Sequence, residues 1–234
     1  MTVLTLRSLD AGYGGVPVVR DLDLEVDSGE VLALLGPNGA GKTTILSTIS
    51  GLIPSVAGEV EIMGEPTDSR HPFRVAQRGV AHVAEDRSLF FGLTVMENLQ
   101  VVPGLPRSER REAYDRALEL FPPLRPLVAR PAGLLSGGEQ QMLAMARAII
   151  TNPRLLLVDE MSLGLAPVIV QQMMPVVRSV ADTGAAVIIV EQHVHLALDL
   201  ADRAVVIANG RVAVEGPAAE LRGDLSRIQE GYFG

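Results

Sequence analysis

The spacing of apolar residues changes period several times along the chain, and each change marks an expected element. TVLTLRSL (2–9) and DLDLEV (21–26) alternate apolar and polar positions on either side of the turn-like GYGGVP, so both predict strands with one buried face. VLALLG (31–36) is a continuous apolar run closed by glycine, the pattern of a strand covered on both faces. TTILSTISGL (43–52) predicts a helix closed by Gly51, and GEVEIMGE (58–65) a short alternating strand between glycines. From about Ser88 to Asn152 the strand signals fade. There SERREAYDRALELF (108–121) predicts a helix with its charges on one side, and GGEQQMLAMARAII (137–150) a second that carries Met142, Ala146, Ile149 and Ile150 on one face. LLLVD (155–159) and AAVIIVE (185–191) are again buried-strand runs, each followed by a helical stretch. DRAVVIANGRVAVEG (202–216) predicts a β-hairpin turning at Asn209-Gly210. No repeat, linker or low-complexity segment interrupts this order. The pattern predicts one α/β domain over residues 1–234, with a core of about 1–87 and 153–234 and a helical insertion of about 88–152.

Composition narrows the classes. With 47% hydrophobic and 21% charged residues the chain is globular, and a net charge of −8 provides no general basic footprint for nucleic acid or anionic lipid. The absence of cysteine excludes a disulfide framework and any thiolate metal site. The start, MTVLTLRSLD, has neither the charged end nor the long apolar run of a signal peptide, and no apolar run approaches the roughly 18 residues of a membrane span. Any membrane role is therefore expected to be indirect.

Of the 20 basic residues 19 are arginine, and the one lysine is Lys42. It stands in Gly36-Pro37-Asn38-Gly39-Ala40-Gly41-Lys42-Thr43-Thr44, which fits the P-loop template after a buried strand and at the start of a helix. There the glycines let backbone N–H groups curl around a phosphate, and the helix N-terminus adds partial positive charge. Lysine is a compact charge on a flexible stem that can enter such a cradle, whereas guanidinium is planar and wide. Lys42 is expected to reach the β- and γ-phosphates and the Thr43 hydroxyl to ligate Mg2+. LLLVDE (155–160) supplies two adjacent carboxylates at the end of a buried strand, where α/β proteins bind ligands. Asp159 is expected in the Mg2+ shell and Glu160 as acceptor of the attacking water's proton. Both halves point to hydrolysis of a nucleoside triphosphate; the resemblance that follows implies ATP.

LLSGGEQQMLAMARA (134–148) resembles the signature sequence of ABC-type ATPases, with Leu135-Ser136-Gly137-Gly138-Glu139-Gln140 as its core. The resemblance implies a P-loop NTPase (RecA-like) core, an antiparallel β subdomain and a helical insertion. It also implies two ATPase domains packed head to tail, each ATP lying between one P-loop and the partner's signature. Tyr13 looks like the aromatic on which adenine stacks, and His193, in VEQHV, resembles the switch histidine that contacts the γ-phosphate. His71, His82 and His195 read as ordinary surface or packing residues.

Two positions depart from the family. Glu85 stands where a glutamine is usual; it can still face Mg2+ or its waters but cannot donate a hydrogen bond when ionised. Ala166 stands where many members have aspartate, and Met161 replaces a proline. Together with SLGLAP, these features resemble the ATP-binding subunits of branched-chain amino acid importers, while importers of urea and short amides share much of the pattern. The resemblance implies two transmembrane permease subunits, a second ABC ATPase subunit that is either another copy of this chain or, as is usual in that family, a related one, a substrate-binding protein reached indirectly, and a peripheral place on the cytoplasmic face of the membrane. A soluble ABC ATPase acting on DNA or ribosomes is the competing reading; it would be expected to carry a joined second domain or a coiled-coil or zinc-bearing insertion. Phe90-Phe91 reads either as an exposed contact for membrane subunits or as buried under the insertion.

Overall fold

The computed structural model describes residues 1–67 and 71–233. The chain begins with a long hairpin, β1 (Thr2–Tyr13) and β2 (Val16–Asp27), and then enters the core as β3 (Val31–Leu35). Helix α1 (Lys42–Ile49) follows, after which β4 (Ser55–Ile62) and the two-residue β5 (Glu65–Pro66) return to the hairpin. They complete an antiparallel sheet of order β2-β1-β4-β5. The next elements are α2 (Pro72–Gln77) and β6 (Val80–Val83), then the helices α3 (Val95–Gln100), α4 (Arg110–Leu120) and α5 (Gly137–Ile149). Strands β7 (Leu155–Asp159) and β8 (Ala186–Val190) alternate with α6 (Pro167–Asp182) and α7 (Val194–Leu200). The chain closes with β9 (Arg203–Ala208), β10 (Arg211–Pro217), α8 (Ala218–Gly223) and α9 (Leu225–Phe233).

The second sheet has the order β10-β9-β3-β8-β7-β6, parallel except for the antiparallel edge strand β10. Its inner strands explain their continuous apolar runs. Val31, Ala33 and Leu35 of β3 pack into one core with residues of α5, α6 and α7, while Leu32 and Leu34 pack on the other side with Ile45, Leu46 and Ile49 of α1 and with β1 and β2. β7 and β8 divide in the same way, with Leu156, Val158, Val187 and Ile189 on one side and Leu155, Leu157, Ala186 and Ile188 on the other. A strand with apolar layers above and below has no polar face to alternate with.

The hairpin expected at Asn209-Gly210 joins β9 to β10, and both residues have the positive φ (51° and 73°) that a tight turn of this hand requires. The charged helix expected from Ser108 begins at Arg110. β6 and α2 went unread in the pattern. The four residues of β6, Val-Ala-His-Val, carry a histidine in the middle and too few apolar positions to show a period.

Candidate nucleotide site

Because β3, β6, β7 and β8 run parallel, their carboxyl ends share one edge, and the loops leaving them enclose a cleft of about 400 Å³. One wall is the loop after β3, with Asn38, Gly39, Gly41, Lys42, Thr43 and Thr44. Gly36 and Gly41 are required by shape as well as conformation. With φ of 149° and 102°, a Cβ at Gly36 would lie 2.2 Å from the Ile207 carbonyl oxygen, and one at Gly41 would lie 2.3 Å from Val19 Cγ2. The first turn of α1 holds no acidic side chain and no side-chain cap, so its N–H groups present unopposed positive potential to an anion. Lys42 is 5% exposed, and its Nζ donates to the Gly36 and Pro37 carbonyls at 2.8 and 3.0 Å. Burial pushes its pKa down while Glu160 and Asp159 hold it up. Pro37 and Ala40 stay off the cleft wall; Ala40 is buried behind the loop.

The opposite wall is acidic. Asp159 is 1% exposed and neither carboxylate oxygen makes a hydrogen bond of standard geometry, although the Thr43 hydroxyl approaches it. Burial pushes its pKa up, Thr43 and Lys42 oppose that, and the charges of Glu160 and Glu85 add to it. A buried, unsatisfied carboxylate beside a hydroxyl, with two further carboxylates near it, is the chemistry of a hard-cation site completed by ligands from outside the chain. Mg2+ fits it. No ready-made cluster of three carboxylate or histidine ligands exists among the described residues, so Asp159 and Thr43 would hold the ion together with phosphate and water oxygens. Glu85 lies exposed on the cleft wall after β6. Glu160, also on the wall, has φ of 47°, and both its carboxylate oxygens accept from Gln192 Nε2, at 2.9 and 2.8 Å.

Tyr13, 56% exposed at the end of β1, joins the cleft at its mouth beside Val18. His193 does not join it. His193, expected at the γ-phosphate, is an exposed residue at the N-cap of α7, and its neighbour Gln192 lines the wall. The run AAVIIVE has no alternation to carry past the strand end, so the pattern could not tell which of two successive polar residues turns inward. Leu163 also lines the cleft and was not anticipated.

Ser136, Gly137, Gly138 and Glu139 lie outside this cleft, at the start of α5. Ser136 and Glu139 form a capping box, Ser136 Oγ accepting from the Glu139 N–H and the Glu139 carboxylate from the Ser136 N–H. Glu139 thus offers an anion only repulsion, and the groups that could face one are the exposed Ser136 hydroxyl and the N–H groups of Gly137 and Gly138. Of the remaining histidines, His82 is a packing residue whose Nδ1 lies 3.1 Å from Ser50 Oγ and whose pKa burial pushes down to about 4. Phe90 and Phe91 are both exposed, 52% and 54%, which removes the buried alternative. A larger groove of about 810 Å³ runs past Asp23, Glu25, Glu30 and Arg203, but Arg203 is paired with Glu30 and Glu215 and nothing there resembles the chemistry of the cleft.

The sequence profile of the ABC transporter family matches residues 19–162. The high-affinity branched-chain amino acid transport ATP-binding protein BraG of Pseudomonas aeruginosa is 38% identical over 233 residues, which cover 99% of this chain and 100% of that protein. The lipopolysaccharide export system ATP-binding protein LptB of Haemophilus influenzae is 33% identical over 238 residues, covering 100% of this chain and 98% of that one. Among solved structures, an ATP-binding subunit of an ABC transporter superposes with a TM-score of 0.86 at 27% identity, covering 99% of this chain and 98% of the other.

Proposed function

Since the chain belongs to the ABC transporter family and is an ATPase that couples ATP hydrolysis to transport, we propose that it powers an importer of branched-chain amino acids from the cytoplasmic face of the membrane. The observation that carries the chemistry is a cleft lined by the only lysine, the Thr43 hydroxyl and Glu160, with the buried Asp159 carboxylate behind it beside Thr43. Tyr13 stacks on adenine at the mouth. Lys42 exchanges the carbonyls of Gly36 and Pro37 for the β- and γ-phosphates, and the loop N–H groups hold the same oxygens. Asp159 and Thr43 would hold Mg2+, and Glu85 on the same wall would add negative charge beside it. When bound, the ion neutralises charge on the phosphates. Glu160 accepts the proton of the attacking water.

Subunits of this family dimerise and associate with transmembrane permease components. For this chain we read a second, related ATPase as the partner, its signature covering the cleft and Ser136, Gly137 and Gly138 covering the partner's, together with two permease subunits and an external substrate-binding protein. BraG, matched end to end, favours branched-chain amino acids as cargo. The similar full-length match to LptB keeps lipopolysaccharide export as a second reading. No helix among the described residues is long and apolar enough to cross a membrane, so the substrate path is assigned to the permeases.

The test uses tagged Glu160→Gln, which binds ATP without hydrolysing it, recovered with ATP from detergent-solubilised membranes of its own cells. The expected companions are two apolar membrane proteins and a second ATPase, with leucine uptake lost when the gene is deleted. Recovery of ribosomal or DNA-repair proteins without a membrane subunit would overturn the transport reading, and loss of lipopolysaccharide export with intact uptake would overturn the cargo.

A further inference from the structure

From the end of α5 at Ile149 the chain returns to the core through Asn152 and Pro153 and starts β7 at Leu155. Another cleft, of about 570 Å³, lies beside this joint. Since β7 carries Asp159 at its other end, the cleft opens at the edge of the sheet opposite the nucleotide. Arg116 and Leu120 reach it from α4 of the insertion, and Val180 and Thr183 from the end of α6 in the core. Its volume falls within the roughly 300–1,000 Å³ of small-molecule sites.

In a chain of net charge −8, no carboxylate side chain lines this cleft and two guanidinium groups do. Arg116 spends only Nη2, on Asn152 Oδ1 at 3.0 Å. The Arg154 side chain makes no hydrogen bond or ion pair among the described residues, yet its root is fixed. Its backbone N–H donates to the Gly79 carbonyl at 2.8 Å, and its Cγ lies so close over Gly79 that a Cβ there would be 3.1 Å away. Guanidinium matches a carboxylate with two parallel hydrogen bonds. The α6 end has the opposite sign. No basic residue stands in its last turn, and the Thr183 hydroxyl donates to the Val180 carbonyl at 2.7 Å, which leaves its oxygen free to accept. Such a helix end favours a cation. Leu120, Ile149, Pro153 and Val180 supply apolar lining. A carboxylate, an ammonium and an aliphatic side chain on one small molecule complement all three features.

We propose that this cleft binds a short aliphatic α-amino acid, its carboxylate on Arg116 and Arg154, its ammonium at the end of α6 and its side chain on the apolar lining. Occupancy joins α4 of the insertion to α6 of the core, across the joint between the signature helix and β7, and slows ATP turnover by restraining one against the other. The effect on turnover rests on the roles proposed above for the signature and for Asp159 and Glu160; the binding does not. Because the proposed cargo belongs to the same class, cargo accumulated inside would act back on the ATPase.

Binding is measured by titration calorimetry on the purified full chain, which lacks the permease path, and turnover on the complex recovered from membranes. L-Leucine is expected to bind at one site per chain, whether or not ADP fills the nucleotide cleft. Leucinamide, which lacks the carboxylate, and 4-methylpentanoate, which lacks the ammonium, are each expected to bind at least about tenfold more weakly. Arg154→Gln and Thr183→Lys, both at exposed positions, are expected to keep Tm within about 2 °C and to weaken leucine by a similar factor. In the complex leucine is expected to lower turnover several-fold, and Arg154→Gln to lose that inhibition while keeping the leucine-free rate. No saturable binding of leucine, binding that ADP displaces, or binding that both variants keep overturns the site. 4-Methylpentanoate bound as tightly as leucine overturns the amino-acid assignment, and leucine that binds without moving turnover overturns the regulation. A complex that leucine inhibits but does not transport would uphold the site and remove the cargo reading instead.

Discussion

Burying the Asp159 carboxylate without a hydrogen bond of its own disfavours its charged form, and this one residue links stability to metal binding. With its pKa raised, the folded chain still holds this proton at a pH where the unfolded chain has released it. The contribution to stability is therefore fully present below the ordinary value of 3.8 and is lost as pH rises through the higher folded value. Asp159→Asn removes the charge and keeps the shape. It is expected to stabilise the nucleotide-free chain at pH 7 by about 1 kcal/mol, a rise in Tm of roughly 2–4 °C at this chain length, and to flatten the loss between acid and neutral pH. Mg2+ with nucleotide should raise the Tm of the parent and add little beyond nucleotide alone to the variant. Calorimetry with and without Mg2+ checks both; a variant that keeps the full metal-dependent gain would remove Asp159 from the metal shell.

At the scale of elements, α6 starts at an N-cap that has the right backbone and the wrong side chain. Ala166, with φ −66° and ψ 141°, is in capping geometry before Pro167 but makes no cap, and the first turn of the helix carries no acid. Ala166→Asp is expected to stabilise the chain by about 1 kcal/mol through one hydrogen bond and the helix dipole, which thermal melts of the nucleotide-free protein would show. No gain would mean that the cap bond does not form. The contrast with α5 shows what was legible in the sequence. SGGE announced a start that the capping box confirms, and thirteen residues are enough for the period to place Met142, Ala146 and Ile149 inside. Buried strands were legible from unbroken apolar runs, and half the cleft was legible because its chemistry uses rare residue types, a sole lysine and an Asp-Glu pair ending a strand. Short elements were not, since six residues in α2 and four in β6 hold barely one period. Gln192 was not legible either: what turns it inward is the geometry at the end of β8, which no local pattern encodes.

Across the whole molecule α5 ties three functional regions together. Its N-terminus carries the exposed signature residues, Gln140 and Gln141 accept from Arg87 in the loop that holds Glu85, and Arg147 donates to the Ser88 carbonyl while its guanidinium lies 5.1 Å from the Phe90 ring centroid. These contacts connect the Glu85 loop to the signature helix and to Phe90. Phe91 has its backbone pinned, its carbonyl accepting from the N–H of Gly133, while its side chain stays exposed. An aspartate there should leave the fold alone, as surface substitutions do within about 0.5 kcal/mol. Against an apolar permease surface the same carboxylate would be buried unpaired, which costs several kcal/mol, and each 1.4 kcal/mol is about a tenfold loss in binding. Phe91→Asp is thus expected to keep Tm within about 2 °C and nucleotide affinity within twofold, while recovery of the membrane subunits falls at least tenfold. Full recovery would move the docking face elsewhere on the molecule, and a collapse in Tm would show that the ring supports the fold after all.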